Sequence, residues 1–355
     1  MRNLKWNSFW IIAGGFALFL KIILGNESKF VEHWYSRGLF IGVRYTFELL
    51  TWLPIPLMYL FWIVVLWGAW RKIQSWRKNG FATGQFLLGT ASFIGALLFF
   101  FFMLWGFNYS RVSIERQLGL RLKPLKKVEL DSAFQRETRL LIRLRAKITD
   151  AQNRALRRAD FPKHLECSLN TSLEAWLSAQ HFPTPGRVRG RLLYPEGVFL
   201  RFSTAGLYFP YTGEGHIDPG LAALQWPYTL SHELGHGYGF ADEGTCTFLA
   251  LMGCDQSSDP AIRYSGRLKY WRTLAGQLRR YNPEVFQQMR KELPREIQLD
   301  LEAINTALLR FPDFVPDLQP RLYNAYLKSQ GIAEGVLNYD RVVMLAEAYA
   351  SRKQD

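Results

Sequence analysis

Two histidines four residues apart, His232 and His236, with Glu233 directly after the first, are the residues of this chain best suited to chemistry. On a helix, side chains at i and i+4 share a face, so both imidazoles can reach one Zn²⁺ at about 2.0–2.1 Å. Glu233 would then lean toward the open side of the metal and act as general base on a coordinated water, whose pKa the ion lowers toward about 7. An exposed helix with a chance pair of histidines would explain the same letters, but not their setting. The segment 231–244 reads Ser-His-Glu-Leu-Gly-His-Gly-Tyr-Gly-Phe-Ala-Asp-Glu-Gly; it follows expected strands, starts just after Pro227 and ends among glycines that let the chain turn back.

A catalytic zinc takes three protein ligands and keeps one position open, and two neighbours qualify as the third. Asp242 lies six residues after His236 with Gly239 between them, the His-x-x-Gly-x-x-ligand spacing of metzincin-like sites. Glu243, one residue further on, would open a helix over Thr245–Met252 whose side chains point back at the metal. Spacing leaves both open. Tyr264 and Arg263 fall in the expected loop after that helix, where they would either stabilise an oxyanion or pack at a helix start. His216 precedes Ile217-Asp218 in an expected edge strand along which an extended substrate would lie, and reads as a surface histidine rather than a fourth ligand.

The elements that must position these groups divide at about residue 108. Beyond it, apolar residues at Phe134, Leu141, Leu144 and Ile148 mark one face of a helix within 129–158. Between 188 and 218, short aromatic and β-branched runs such as Val198–Phe202 and Leu207–Tyr211, punctuated by Gly and Pro, predict short strands. Helix returns at Pro227 and is divided by Pro283, Pro294, Pro312, Pro316 and Pro320. A small sheet followed by helices is a mostly helical α+β arrangement.

Before residue 108, three stretches, about 9–24, 52–70 and 86–107, are apolar enough to predict transmembrane helices. Lys21 can snorkel from the end of the first, and Trp52, Trp70 and Trp105 fall where an aromatic belt belongs. The first stretch could instead be a signal peptide, but no small-residue cleavage site follows it, which favours a retained anchor. Arg71, Lys72, Arg77 and Lys78 make the connection before the third stretch cytoplasmic. Three crossings then place the N-terminus inside and everything after Asn108 outside.

The formal net charge of +14 invites a nucleic-acid reading that its distribution argues against. Ten of the 44 Lys and Arg and three of the 30 Asp and Glu fall in residues 1–108, which leaves 34 and 27 for the rest. That surplus of seven, without a long basic run, suits a solvated surface near anionic lipid headgroups rather than a phosphate groove. Three cysteines, Cys167, Cys246 and Cys254, make neither a CxxC pair nor a disulfide framework. Cys246 and Cys254, eight residues apart, are expected on one apolar helix face as buried structural thiols.

Chain-long features resemble an uncharacterised family of bacterial membrane proteins catalogued as a domain of unknown function. They are Trp105-Gly106-Phe107-Asn108-Tyr109-Ser110-Arg111 at the membrane exit and Gly206-Leu207-Tyr208-Phe209-Pro210-Tyr211-Thr212-Gly213-Glu214 before the histidine helix. Asp259-Pro260 with Arg263-Tyr264-Ser265-Gly266, and Tyr323-Asn324-Ala325-Tyr326-Leu327-Lys328, complete the set. The resemblance implies an acid at the position of Glu243 rather than of Asp242, and a second acid where this chain has Thr245. It implies fold and topology more than reaction.

The combined expectation is a membrane region, 1–108, and a zincin-like domain, 109–355, with Zn²⁺ on His232, His236 and Glu243. Such a protein would be a metallopeptidase of the bacterial inner membrane, multi-pass, with its C-terminal domain extracytoplasmic. Its partners would be a peptide or protein substrate and the lipid bilayer, without nucleic acid. The alternative is a non-catalytic zinc-binding or scaffold and signalling membrane protein, against which Glu233 speaks, since a structural site has no need of a base. The absence of ionisable residues deep in the second and third expected spans argues against transport.

Overall fold

In a computed structural model of the chain, residues 2–314 and 339–352 are described, so Pro316, Pro320 and the 323–328 stretch lie outside them. The backbone forms two compact units. One comprises Met1–Val112, Pro185–Val188 and Phe209–Glu214, the other Ser113–Thr184, Arg189–Tyr208 and Gly215–Asp355.

The first unit holds α1 (Arg2–Leu24), α2 (Phe40–Glu48), α3 (Leu57–Asn79) and α4 (Thr83–Leu104). Among the described residues, two helices, not three, are long and apolar enough to cross a membrane: 20 residues of α1, Lys5–Leu24, and the 22 of α4. Gly14 and Gly95 let these two backbones touch, since a Cβ on Gly14 would meet the Gly95 carbonyl oxygen at 2.3 Å. The expected span at 52–70 is corrected by its prolines. Pro54 and Pro56 delay the helix to Leu57, where Glu214 accepts the first amide at 2.6 Å. The helix then runs on through Arg71, Lys72, Arg77 and Lys78. Its uncharged part, Leu57 to Trp70, is 14 residues, or roughly 21 Å of helix against a hydrocarbon core of about 30 Å.

Trp105 is buried rather than placed in a belt, and the motif it opens is a joint. Arg111 donates to both carboxylate oxygens of Glu32 at 2.9 Å, and Ser36 donates to Asn108 at 2.8 Å.

The second unit begins with α5 (Ile114–Leu118), α6 (Lys127–Ala146) and α7 (Leu165–Ala179). The expected face of α6 is realised: Phe134, Leu141 and Leu144 are buried, and the Phe134 ring packs on Trp271 at 5.3 Å. A sheet of β1 (Arg189–Leu192), β2 (Gly206–Phe209) and β3 (Glu214–Ile217) follows, in the order β1-β3-β2. After it come α8 (Trp226–Gly237), α9 (Glu243–Gln256), α10 (Pro260–Tyr281), α11 (Pro283–Lys291), α12 (Arg295–Leu309) and a C-terminal helix, Tyr339–Arg352. Helix α9 is buried from Gly244 to Cys254, as a helix without a polar face must be. Cys246 and Cys254 are free and buried within it, whereas Cys167 is free and exposed.

Of the two expected strands, Leu207–Tyr211 overlaps β2, but Val198–Phe202 is a turn ending in a 3₁₀ segment, Leu200–Phe202. The amides that a ladder would need are taken by Asp218. Its buried carboxylate accepts from Gly197 at 2.7 Å, Phe199 at 2.8 Å, Leu200 at 3.2 Å and Gly220 at 2.8 Å. His216, expected on an edge strand and at the surface, instead sits in the central strand and is fully buried.

Candidate metal centre

Helix α8 starts with a proline in its first turn, where no amide partner is lost, and its 232 and 236 positions share a face. After Gly237, the positive φ of +84° at Gly239 reverses the chain. Asp242 then caps α9, its carboxylate accepting from the Thr245 amide and hydroxyl at 2.7 Å each. That turn brings Glu243, the first residue of α9, back onto the histidines.

His232 Nε2 lies 3.0 Å from Glu243 Oε2, His236 Nε2 lies 3.5 Å from Glu243 Oε1, and the two Nε2 atoms are 3.2 Å apart. Ligands held at about 2.0–2.1 Å in a tetrahedral shell are roughly 3.3–3.4 Å from one another. The three side chains therefore form a group that could hold a metal ion. Spacing alone left Asp242 and Glu243 open; in the fold Asp242 is the helix cap, 3.6 Å from Arg341 Nε, and Glu243 completes the group.

Supporting contacts fix the rings. His236 Nδ1 lies 2.8 Å from the Phe240 carbonyl oxygen, which can only accept, so Nδ1 carries the proton and Nε2 is left to face the ligand position. Cys246 stands 3.3 Å from the same Nδ1, and its thiol donates to the same carbonyl at 3.1 Å. Burial pushes that thiol up to about 11, which keeps the S–H in place. Thr247 Oγ1 lies 3.4 Å from His232 Nδ1. Neither Cys246 nor Thr247 was legible as a partner, because each is defined only by the packing of α9 on α8.

Burial and neighbouring charges compete here. Burial pushes the Glu233 carboxyl up, against the pull of His232 and His236. It also works against ionisation of Glu243, yet His236 and His232 hold that carboxyl well below the ordinary carboxylate range. It disfavours charge on His236, which the Glu243 carboxylate nevertheless raises well above the usual value.

Glu233 packs against the sheet. A Cβ on Gly206 would meet its Oε1 at 2.6 Å, and one on Gly215 would meet its Cβ at 2.6 Å. A glycine in a strand is a sequence signal of such close approach. Gly206→Ala is expected to cost about 1–3 kcal/mol by overpacking. Gly276→Ala, at an exposed α10 position with nothing within 4 Å, is expected to stabilise by roughly 0.5–1 kcal/mol. Thermal unfolding of the two variants beside the wild type checks both signs.

The other expected site residues are not brought to this group. Tyr264 is fully buried in α10 and donates to Asp300 at 2.8 Å. Arg263 lies inside α10 rather than in a loop, its Nε buried without a hydrogen-bond partner among the described residues. His216 is fully buried in β3.

The chain is thus a mostly helical α+β protein with two apolar helices and a His-His-carboxylate group of metal-ligating geometry. It belongs to the family described as "Protein of unknown function (DUF3810)", whose model matches residues 35–346. That match takes in α4, the membrane-exit motif and the whole metal-ligating group. No curated protein and no solved structure matches the chain.

Proposed function

We propose that this protein is a membrane-anchored, zinc-dependent metallopeptidase. The carrying observation is the convergence of His232, His236 and Glu243 donor atoms at 3.0–3.5 Å with a buried carboxylate, Glu233, one residue from the first of them. A zinc ion on these three residues would supply Lewis-acid polarisation of a carbonyl and a water of lowered pKa. Glu233 takes a proton from the water that attacks the carbonyl carbon and returns it to the departing amine nitrogen as the C–N bond breaks. Its burial raises its pKa and so strengthens it as the base that takes the proton. Phe240 and Cys246 hold His236, and Thr247 holds His232, in the ring orientation that turns both Nε2 atoms toward Glu243.

Glu233→Gln is expected to retain the metal and lower hydrolysis of unfolded polypeptides by about 10²–10⁴-fold. The measurement is cleavage of a denatured protein mixture by the full chain in detergent, beside elemental analysis of both forms. Fully loaded wild type without cleavage, or cleavage that Glu233→Gln leaves intact, would instead favour the non-catalytic zinc-binding reading.

The charges that precede α4 support one side of the membrane. Arg71, Lys72, Arg77 and Lys78 immediately before it favour a cytoplasmic start, which puts the chain after Leu104 outside a bacterial inner membrane. Cys167 supplies a native reporter, being the exposed thiol while Cys246 and Cys254 are buried. A membrane-impermeant maleimide is expected to label Cys167 in intact spheroplasts and to lose that label in Cys167→Ser. Labelling only after lysis would place the domain inside.

A further inference from the structure

We infer that Arg341, on the C-terminal helix, is a positioning residue for the metal ligand Glu243. The two are far apart in sequence and are joined through Asp242. Arg341 Nη2 donates to Glu115 Oε2 of α5 at 2.6 Å, and its Nε stands 3.6 Å from Asp242 Oδ1. That oxygen is the one that caps α9, accepting from the Thr245 amide and hydroxyl at 2.7 Å each. One carboxylate oxygen therefore ties the first turn of α9 to the C-terminal helix, one residue before the carboxylate that completes the metal-ligating group.

The cap has a placement to defend. Glu243 is the first residue of α9, where backbone amides have no intrahelical partner to fix them. The turn leading into it contains Gly239 at a φ of +84°, and glycine leaves such a turn free to relax unless its far end is held. Arg341 is in turn held by a well-anchored helix. Val342, Val343, Leu345 and Tyr349 are buried. The Tyr349 ring packs on Phe248 of α9 at 5.7 Å, and its hydroxyl accepts from Trp176 Nε1 of α7 at 3.2 Å. Both ends of the helix are tied to α5, because Arg352 also donates to the Leu118 carbonyl at 2.8 Å. A planar guanidinium with two nitrogens on carboxylates of different elements fixes geometry as a single ammonium does not. Outer partners that hold a metal ligand in this way are typically worth about 10- to 100-fold in metal affinity. The sign of the charge separates this role from simple electrostatics. A cation near the site repels a divalent metal, so removing its charge alone would tighten binding.

This role rests on the metal-binding part of the proposed function and not on peptide cleavage. Its test is the zinc affinity of the full chain in detergent, measured by competition with a chromogenic chelator well below the melting temperature. Arg341→Met is expected to weaken zinc about tenfold while one zinc per chain is still reached at saturation. Arg341→Lys, which keeps the charge and loses the fork, is expected to weaken it in the same direction by a smaller factor. In Asp242→Asn, which keeps a capping side chain and lacks the carboxylate charge, Arg341→Met is expected to add little, since both act through one contact. Arg136→Met removes a different ion pair from the same helix, the one with Glu347, and is expected to leave the affinity at the wild-type value whatever it does to the melting temperature. Affinity in Arg341→Met equal to or tighter than wild type, or an equal loss in Arg136→Met, overturns the inference and leaves the metal centre standing. Wild type that takes up no zinc removes the metal centre and this role together. If Arg341→Met does not fold, Arg341→Lys decides, and undiminished affinity in it overturns the inference.

Discussion

Full-length protein purified without chelators is expected to carry about one zinc per chain, and Glu243→Ala and His236→Ala are each expected to reduce that to near zero. The expectation rests on the ligand triangle. Removing Glu243 leaves two histidines whose Nε2 atoms are 3.2 Å apart and no third donor in the group, so the remaining pair cannot close a tetrahedral shell. Asp242→Ala is the informative control. It removes the cap of α9, which costs about 1 kcal/mol, but not a ligand. Zinc content close to wild type in Asp242→Ala, with a small fall in melting temperature, is the expected outcome. Elemental analysis checks it, and a well-folded wild type that takes up no zinc on incubation with the metal would sink the proposed function.

Asp300→Ala is expected to destabilise the second unit by about 3–5 kcal/mol, because it strands a buried charge. The carboxylate joins three elements: it accepts from Arg145 of α6 at 2.8 Å, from Tyr264 of α10 at 2.8 Å and from the Leu156 amide at 2.8 Å. The Arg145 side chain is only 3% exposed, so water cannot take the place of its partner. The tyrosine hydroxyl and the amide would be left unsatisfied as well, each at a further cost of about 1–3 kcal/mol if the site does not relax. At about 2–4 °C per kcal/mol for a unit of this size, a fall of roughly 10 °C in melting temperature is expected. Arg145→Met with Asp300→Leu, which removes both charges, is expected to recover much of it; an Asp300→Ala variant that melts with the wild type would show that the triad contributes nothing.

The parts of this protein that its sequence determined by itself are those governed by local periodicity. His232, Glu233 and His236 are fixed relative to one another by the 3.6-residue turn of one helix, and the buried face of α6 by the same rule. The apolar stretches of α1 and α4 could be read the same way, because their length and composition are properties of the chain alone. The span expected at 52–70 failed where Pro54 and Pro56 shortened it, a cue that was present but outweighed by the apolar run.

Choices between neighbours needed the tertiary structure. Asp242 and Glu243 are adjacent and chemically alike, and what separates them is that one caps α9 while the other faces α8, which depends on the turn at Gly239. Val198–Phe202 has strand letters, but a carboxylate distant in sequence, Asp218, takes its amides. Tyr264, His216 and Cys246 hold their places through partners on other elements, and no spacing rule reaches across elements. The sequence determined which groups could do chemistry; only folding decided which of them meet, because hydrogen bonds and burial are set by contacts between segments that the chain brings together last.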